Sequence, residues 1–155
     1  MLLYHYCSSA MKLTQYTDYS LRVLMYLGFK DGPATISEIA ERYDISRNHV
    51  VKVAHQLGLL GYLQTVRGKG GGLRLARPPA DINVGAVIRD MENMELVECL
   101  GENNTCVLSP PCVLRSALQD ALKAFLATLD GYTLADLIDP PQKARRQKML
   151  KVLSL

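Results

Sequence analysis

A chain of 155 residues that is 48% hydrophobic and 21% charged has material for one compact domain, or a small domain with a dimerising appendage, and is no disordered tail. No apolar run approaches the ~20 residues that would span a bilayer, and the opening MLLYHYCSSA lacks the basic residues and apolar length of a secretory signal. The expected compartment is therefore the cytoplasm, where clustered cysteines point to a metal or redox site rather than disulfides, and the net charge of +3 must be judged by where its basic residues fall.

The first predicted helix runs from Thr17, as its capping residue, to Gly28, with Leu21, Leu24, Met25 and Gly28 at the helical step. Thr35-Ile-Ser-Glu38 is a capping box and opens a short helix to about Tyr43. Ser46 can cap the next helix, closed by Gly58, with Val50, Val53, Ala54 and Leu57 as one buried stripe. Ser46, Arg47, Asn48, His49 and Lys52 lie off that stripe, near the helix's start. Two short helices joined by a tight turn, the second with polar residues at its N-terminus, make a helix-turn-helix. Arg47 can fork onto guanine and Asn48 can pair with adenine in a major groove. An ordinary solvated helix face is the competing reading.

The segment after this helix weighs between the two. Residues 61–76 read as a β-hairpin: a strand through Val66, a glycine-rich tip and a strand alternating Leu73, Arg74, Leu75. Lys69 has no Ser or Thr neighbour and no helix opens after the glycines, so a nucleotide phosphate loop is excluded. A DNA-binding wing fits better than a plain surface hairpin. Its glycines allow tight turning, and Arg67, Lys69 and Arg74 can reach phosphates or the minor groove. The basic residues are local to this unit, so a modest total charge is no objection.

Pro78-Pro79 closes the unit, and a helix is expected over about Asn83–Asn93. Cys99, Cys106 and Cys112 then fall in one loop, separated by six and five residues. Three incidental buried thiols are a poor account of that grouping. Thiolate clusters bind zinc or iron–sulfur centres, usually through four ligands, and this loop supplies three. A close Cys-x-x-Cys knuckle is absent and the wider gaps suit a larger cluster. The fourth ligand is then Cys7, a carboxylate or an exogenous group, since His5, His49 and His55 are all distant in sequence. A long helix starts at Ser109-Pro-Pro-Cys112 and runs to about Leu129, with Leu114, Leu118, Ala121, Leu122, Phe125 and Leu129 as its apolar stripe. That stripe serves either a twofold dimer or packing within one subunit. The basic run Lys143–Lys148 reads as a solvated tail, with added DNA affinity as the alternative.

The expected fold is mainly α with a small β-wing. Its parts are an N-terminal extension (1–10), a winged helix-turn-helix (11–80), a cysteine loop and dimerisation helix (81–138) and a basic tail (139–155). Residues 11–19, the Ser-Arg-Asn-His-Val-Val-Lys run at 46–52, the wing, the three cysteines and Tyr132-Thr-Leu-Ala-Asp-Leu137 together resemble the NsrR-type nitric-oxide-sensing repressors. These are a branch of the iron–sulfur winged-helix regulators to which IscR-type cluster-status regulators also belong. The resemblance spans Met11 to about Ile138 and leaves residues 1–10, with Cys7, ahead of where such proteins usually begin. It implies a homodimeric repressor of a palindromic operator in double-stranded DNA, not an enzyme. It also implies one iron–sulfur cluster per subunit, 4Fe–4S or 2Fe–2S, held by Cys99, Cys106 and Cys112. Asp18 of the partner subunit matches the position that completes such sites, and Arg22, one turn later, stands beside it. DNA would be released when nitric oxide attacks the cluster. IscR-type members carry a histidine where this chain has Arg115, which counts against that alternative. A zinc- or thiol-dependent redox regulator is the other binding-protein reading. An iron–sulfur enzyme or electron carrier leaves the recognition helix and wing unexplained.

Overall fold

The computed structural model describes residues 12–109, 111–139 and 143–155. The expected N-terminal extension, Cys7, Met11 and the Pro140-Pro141 pair lie outside the described residues. Seven α-helices are described: α1 (Gln15–Phe29), α2 (Ile36–Tyr43), α3 (Arg47–Leu59), α4 (Val84–Met91), α5 (Val113–Asp130), α6 (Leu134–Ile138) and α7 (Lys143–Leu153). A single antiparallel pair, β1 (Leu63–Val66) and β2 (Gly72–Leu75), joins them in register Leu63 to Leu75 and Val66 to Gly72. The fold is mainly helical with a small hairpin, as expected, and among the described residues no helix is long and apolar enough to cross a membrane.

The helix-turn-helix forms because its local signals agree. Thr35 and Glu38 make a reciprocal capping box on α2, and Asp44 turns the chain through the left-handed region at φ 52°. α3 buries Val50, Val53, Ala54 and Leu57, the stripe read from the sequence. Ser46 occupies the N-cap position, but its side chain makes no capping bond, and α3 runs one residue past Gly58. The chain reverses at Gly61 instead, where φ is +72°. Ala34 then bridges to Leu73, each N–H donating to the other's carbonyl at 2.9 and 2.7 Å, which docks the hairpin onto the start of α2. Gly72 is required there: a Cβ would stand 2.5 Å from the Ala34 carbonyl oxygen.

α1 differs from expectation. Thr14, not Thr17, caps it, and Thr17 sits inside the first turn, fully buried. The cause is Glu92, at the end of α4, whose carboxylate accepts from the Thr14 N–H (2.8 Å), the Thr14 hydroxyl (3.0 Å) and the Thr17 hydroxyl (2.6 Å). The buried face of α1 is correspondingly Val23, Leu24, Tyr26 and Leu27, with Leu21 and Met25 only half-buried.

The core is continuous across residue 80. Ile82, Val87 and Met91 join it from one side of that point, and Leu134, Ile138 and Leu153 from the end of the chain. Helix α6 (Leu134–Ile138), unassigned from local pattern, has its own capping box between Thr133 and Asp136. A Cβ on Gly28 of α1 would lie 2.9 Å from Ile138, so the glycine admits α6. The expected solvated tail is instead helix α7, which buries Leu153 and packs Met149 and Leu150 on the core.

Candidate nucleic-acid interface and thiol site

The N-terminus of α3 projects clear of the core. Ser46, Arg47, Asn48, His49 and Lys52 are all exposed, while the opposite face is sealed. Two tyrosines of α1 hold the helix in place. Tyr16 donates its hydroxyl to the Lys52 carbonyl at 3.2 Å, and the Tyr19 ring lies 5.9 Å from that of His49. Both contacts leave the Arg47 and Asn48 side chains available. The wing presents Arg67, Lys69 and Arg74, all exposed, around Gly68 and Gly70 at φ 97° and 78°.

Residues 12–80 carry ten Lys or Arg against five Asp or Glu, whereas residues 81–138 carry three against nine. The positive charge is concentrated in the unit that bears α3 and the hairpin, and a helix N-terminus flanked by a basic hairpin is matched to a polyanionic duplex.

Sequence pattern alone missed the residues that fix this surface. Arg77 stacks on the Tyr62 ring, 4.4 Å from its centroid, and donates to the carbonyls of Gly61 and Leu60 at 3.1 Å each. It pins the base of the hairpin. The Tyr62 hydroxyl donates to Asp90 at 2.6 Å, and burial together with that carboxylate pushes its pKa up to about 12. No short motif announces either contact, because each partner comes from another element.

Cys99, Cys106 and Cys112 are free thiols, Cys106 exposed and the other two half-buried. Cys99 lies in a one-turn 3₁₀ helix (Glu98–Leu100), Cys106 in the open loop, and Cys112 at the N-cap of α5. The loop is tied at both ends. Arg115, in the first turn of α5, donates Nε to the Cys99 carbonyl at 2.8 Å. Glu98 accepts from the Thr105 backbone at 3.2 Å and from its hydroxyl; these bonds hold its carboxyl below the usual range. Asn104 accepts from the Cys106 N–H at 3.0 Å.

Among the described residues no three His, Cys, Asp or Glu side chains are gathered around a point that would hold a single metal ion. On chemistry, the donor set fits an iron–sulfur cluster: three soft, accessible sulfurs on one loop.

Asp18 occupies the first turn of α1 and forms a two-pronged pair with Arg22, Oδ2 to Nη2 at 2.7 Å and Oδ1 to Nε at 3.1 Å. Arg22 also lies 5.9 Å from the centre of the Tyr43 ring, at the end of α2. The two residues share one helix face, as their spacing requires. Arg115 is engaged with the loop backbone.

Helix-turn-helix, basic hairpin and charge segregation define a DNA-binding protein of winged-helix form. A profile of the Rrf2 family, described as iron-dependent transcriptional regulators, matches residues 13–140, and the chain belongs to that family. It is 50% identical over 145 residues to the HTH-type transcriptional regulator NsrR of Geobacillus kaustophilus (strain HTA426), covering 91% of this chain and 97% of that protein. It is 51% identical over 147 residues to NsrR of Bacillus subtilis (strain 168), covering 92% and 99%. Among solved structures, IscR of T. potens superposes with a TM-score of 0.71 at 29% identity, covering 88% of this chain and 92% of that one. CymR, the global cysteine regulator of B. subtilis, gives 0.68 at 26%, covering 83% and 96%. The chain is a transcriptional regulator and not an enzyme.

Proposed function

We propose that this chain acts in the cytoplasm as a homodimeric repressor of the NsrR type that holds one iron–sulfur cluster per subunit and leaves its palindromic operator when nitric oxide is present. The observation that carries the reading is the placement of three free thiols on a loop anchored to α5, in a chain whose other half is a basic helix-turn-helix with a wing. Relatives at about half identity named as NsrR regulators support it.

Cys99, Cys106 and Cys112 would hold the cluster, with Asp18 of the partner subunit as the fourth ligand and Arg22 as the adjacent cation. When bound, the cluster supplies iron open to attack by nitric oxide. The rest is done by the chain. Arg115 keeps the Cys99 turn against α5, so the loop and that helix move together. Asp18 belongs to α1, whose Tyr16 and Tyr19 fix α3, so a pull on Asp18 is felt at Lys52 and His49. Two recognition helices held about one DNA turn apart, ~34 Å, read two half-sites together, and losing that spacing releases them. The switch is a two-state element biased by ligand chemistry. A histidine ligand of the IscR kind has no counterpart, because Arg115 holds that position and offers only donors.

Anaerobic purification followed by visible absorbance and Mössbauer spectra, before and after nitric oxide, tests the reading alongside operator binding. A coloured protein that loses its spectrum and its DNA together is expected. A colourless zinc-loaded protein whose DNA binding ignores nitric oxide would overturn it.

A further inference from the structure

α7 lies beyond the family match, which ends at residue 140, and the switch between cluster and recognition helix does not use it. Its eleven residues include Lys143, Arg145, Arg146, Lys148 and Lys151 and no acid. Arg146 pairs with Asp139 at 3.3 Å; among the described residues the other four have no ion-pair partner.

This helix is docked rather than free. Leu153 is 7% exposed, and Arg145, Lys148 and Val152 edge an open groove of about 430 Å³ floored by Met25, Phe29 and Tyr43. Arg42 donates Nη1 to the Ser154 hydroxyl at 2.9 Å. Tyr43 and Arg42 are the last two residues of α2, and the chain passes from them through Asp44–Ser46 into the recognition helix α3.

Charge makes the placement informative. The cations of α7 would be best accommodated beside the acidic stretch 81–138, but the helix packs on α1 and α2, in the unit that already carries ten basic residues against five acids. Arg42, near the end of α2, bonds Ser154 just past the end of α7, so a cation of the helix-turn-helix stands at the basic helix, and like charges gathered on one unit repel unless a polyanion spans them. We propose that α7 is an additional contact surface for the phosphate backbone of duplex DNA, continuous with the helix-turn-helix. The proposal rests on the reading that α3 and the wing bind DNA, and it adds affinity without base preference, because phosphate contacts carry no sequence.

The test is a salt titration by fluorescence anisotropy on a mixed-sequence duplex of about 40 base pairs, where each phosphate contact contributes ~0.9 to the slope of log affinity against log salt. The triple variant Lys143→Gln, Arg145→Gln, Lys148→Gln should bind about tenfold more weakly at ~0.15 M salt and lose at least one unit of slope. Lys143→Gln with Lys151→Gln, which leaves the groove untouched, should show a smaller loss of the same kind should the triple variant melt early. Selection from a randomised operator library should return the wild-type base preference. If folded α7 variants keep wild-type affinity and slope while Arg67→Gln with Lys69→Gln weakens binding, α7 is no DNA surface, although the wing assignment stands. If the wing variant alone is unchanged, the wing assignment fails and α7 is judged by its own slope.

Discussion

Asn48 and Lys69 are both exposed and both assigned to DNA, yet they act through different physics. Asn48 lies in the first turn of α3, where an amide can accept from N6 and donate to N7 on the major-groove edge of an adenine, so its contribution depends on the base opposite. Lys69 sits at the hairpin tip between Gly68 and Gly70 and offers a point charge to phosphate. Asn48→Ala should relax preference at one operator position by ~1–3 kcal/mol, whereas Lys69→Ala should weaken all sequences alike and lower the salt slope by about one unit. Indistinguishable profiles on a randomised operator library would refute this division. Glu92 works inside the protein. Three donors from Thr14 and Thr17 converge on its carboxylate, and through them the start of α1 is fastened to the end of α4, just ahead of the cysteine segment. Hydrogen bonds to a charged acceptor contribute ~1.5–3 kcal/mol each at most, and if the acceptor goes the buried Thr17 hydroxyl still has the Met91 carbonyl at 3.2 Å as a neutral partner. Glu92→Ala should therefore cost about 1–3 kcal/mol in urea denaturation, the loss of charge-assisted bonds rather than an unpaired-donor penalty. A variant as stable as wild type would show that solvent replaces the carboxylate.

Elements whose signals are local are mostly legible in the sequence, the five-residue α6 with its Thr133–Asp136 box being passed over for its shortness, and elements decided by distant partners are not. The capping box on α2 and the buried stripe of α3 rest on neighbours within a few residues, so pattern alone places them. Pattern misplaces the start of α1 because Glu92, 75 residues from Thr17, makes Thr14 the cap. It misses α7 because the packing of that helix depends on Met149, Leu150 and Leu153 at the end of a run of basic residues. The cysteines are legible as a group, whereas Arg115 holding the Cys99 carbonyl is not. Between α1 and α2, burial alone would raise the Glu38 carboxyl. Hydrogen bonds from Lys30, from Tyr26 at 2.7 Å and from the Thr35 N–H outweigh it and hold its pKa below the ordinary 4.5. A depressed carboxylate stabilises the fold above its unfolded pKa, and that contribution is lost as pH falls through the lower folded value. Glu38→Gln should thus be less stable than wild type at pH 7, with the gap closing below about pH 4. A gap that is constant with pH would assign the loss to packing. α5 presents another case: Leu118, Leu122, Phe125 and Leu129 are only half-buried within one subunit, and Leu114 is 65% exposed. A charge placed on a stripe that a second subunit covers is heavily penalised. Leu118→Glu should give monomers without operator binding, and a folded, monodisperse dimer in analytical ultracentrifugation would reject that face.

Across the whole molecule α1 is the common member. It holds α3 through Tyr16 and Tyr19, α2 through Tyr26 and Lys30, α4 through Thr14 and Thr17, and α6 at Gly28. A displacement of α1 cannot stay local, because all of these contacts except the Tyr19–His49 ring pair are buried or hydrogen-bonded. That gives Asp18, in its first turn, leverage over the recognition helix. A carboxylate is a harder and weaker ligand for iron in a thiolate cluster than a fourth cysteine, so it is the bond that a competing ligand breaks most readily. Asp18→Ala should leave the three thiolates holding a labile, spectrally altered cluster while uncoupling it from DNA binding, whereas Cys99→Ala, Cys106→Ala or Cys112→Ala should lose most of the cluster. If Asp18 served only the helix terminus, where an acid is favourable by ~0.3–1 kcal/mol, its loss would cost that stability and nothing else. Mixed dimers separate the cases. A subunit lacking Asp18 keeps its three cysteines, and its partner lacking Cys112 keeps its aspartate. Ligation across the interface therefore leaves one complete site and one site missing both groups. Iron quantitation and absorbance of affinity-sorted mixed dimers should give one wild-type-like cluster per dimer. One labile, spectrally altered cluster and one lost cluster per dimer, with none like the wild type, would place the ligand within its own subunit, and α1 would then have no direct bond to the cluster of its neighbour.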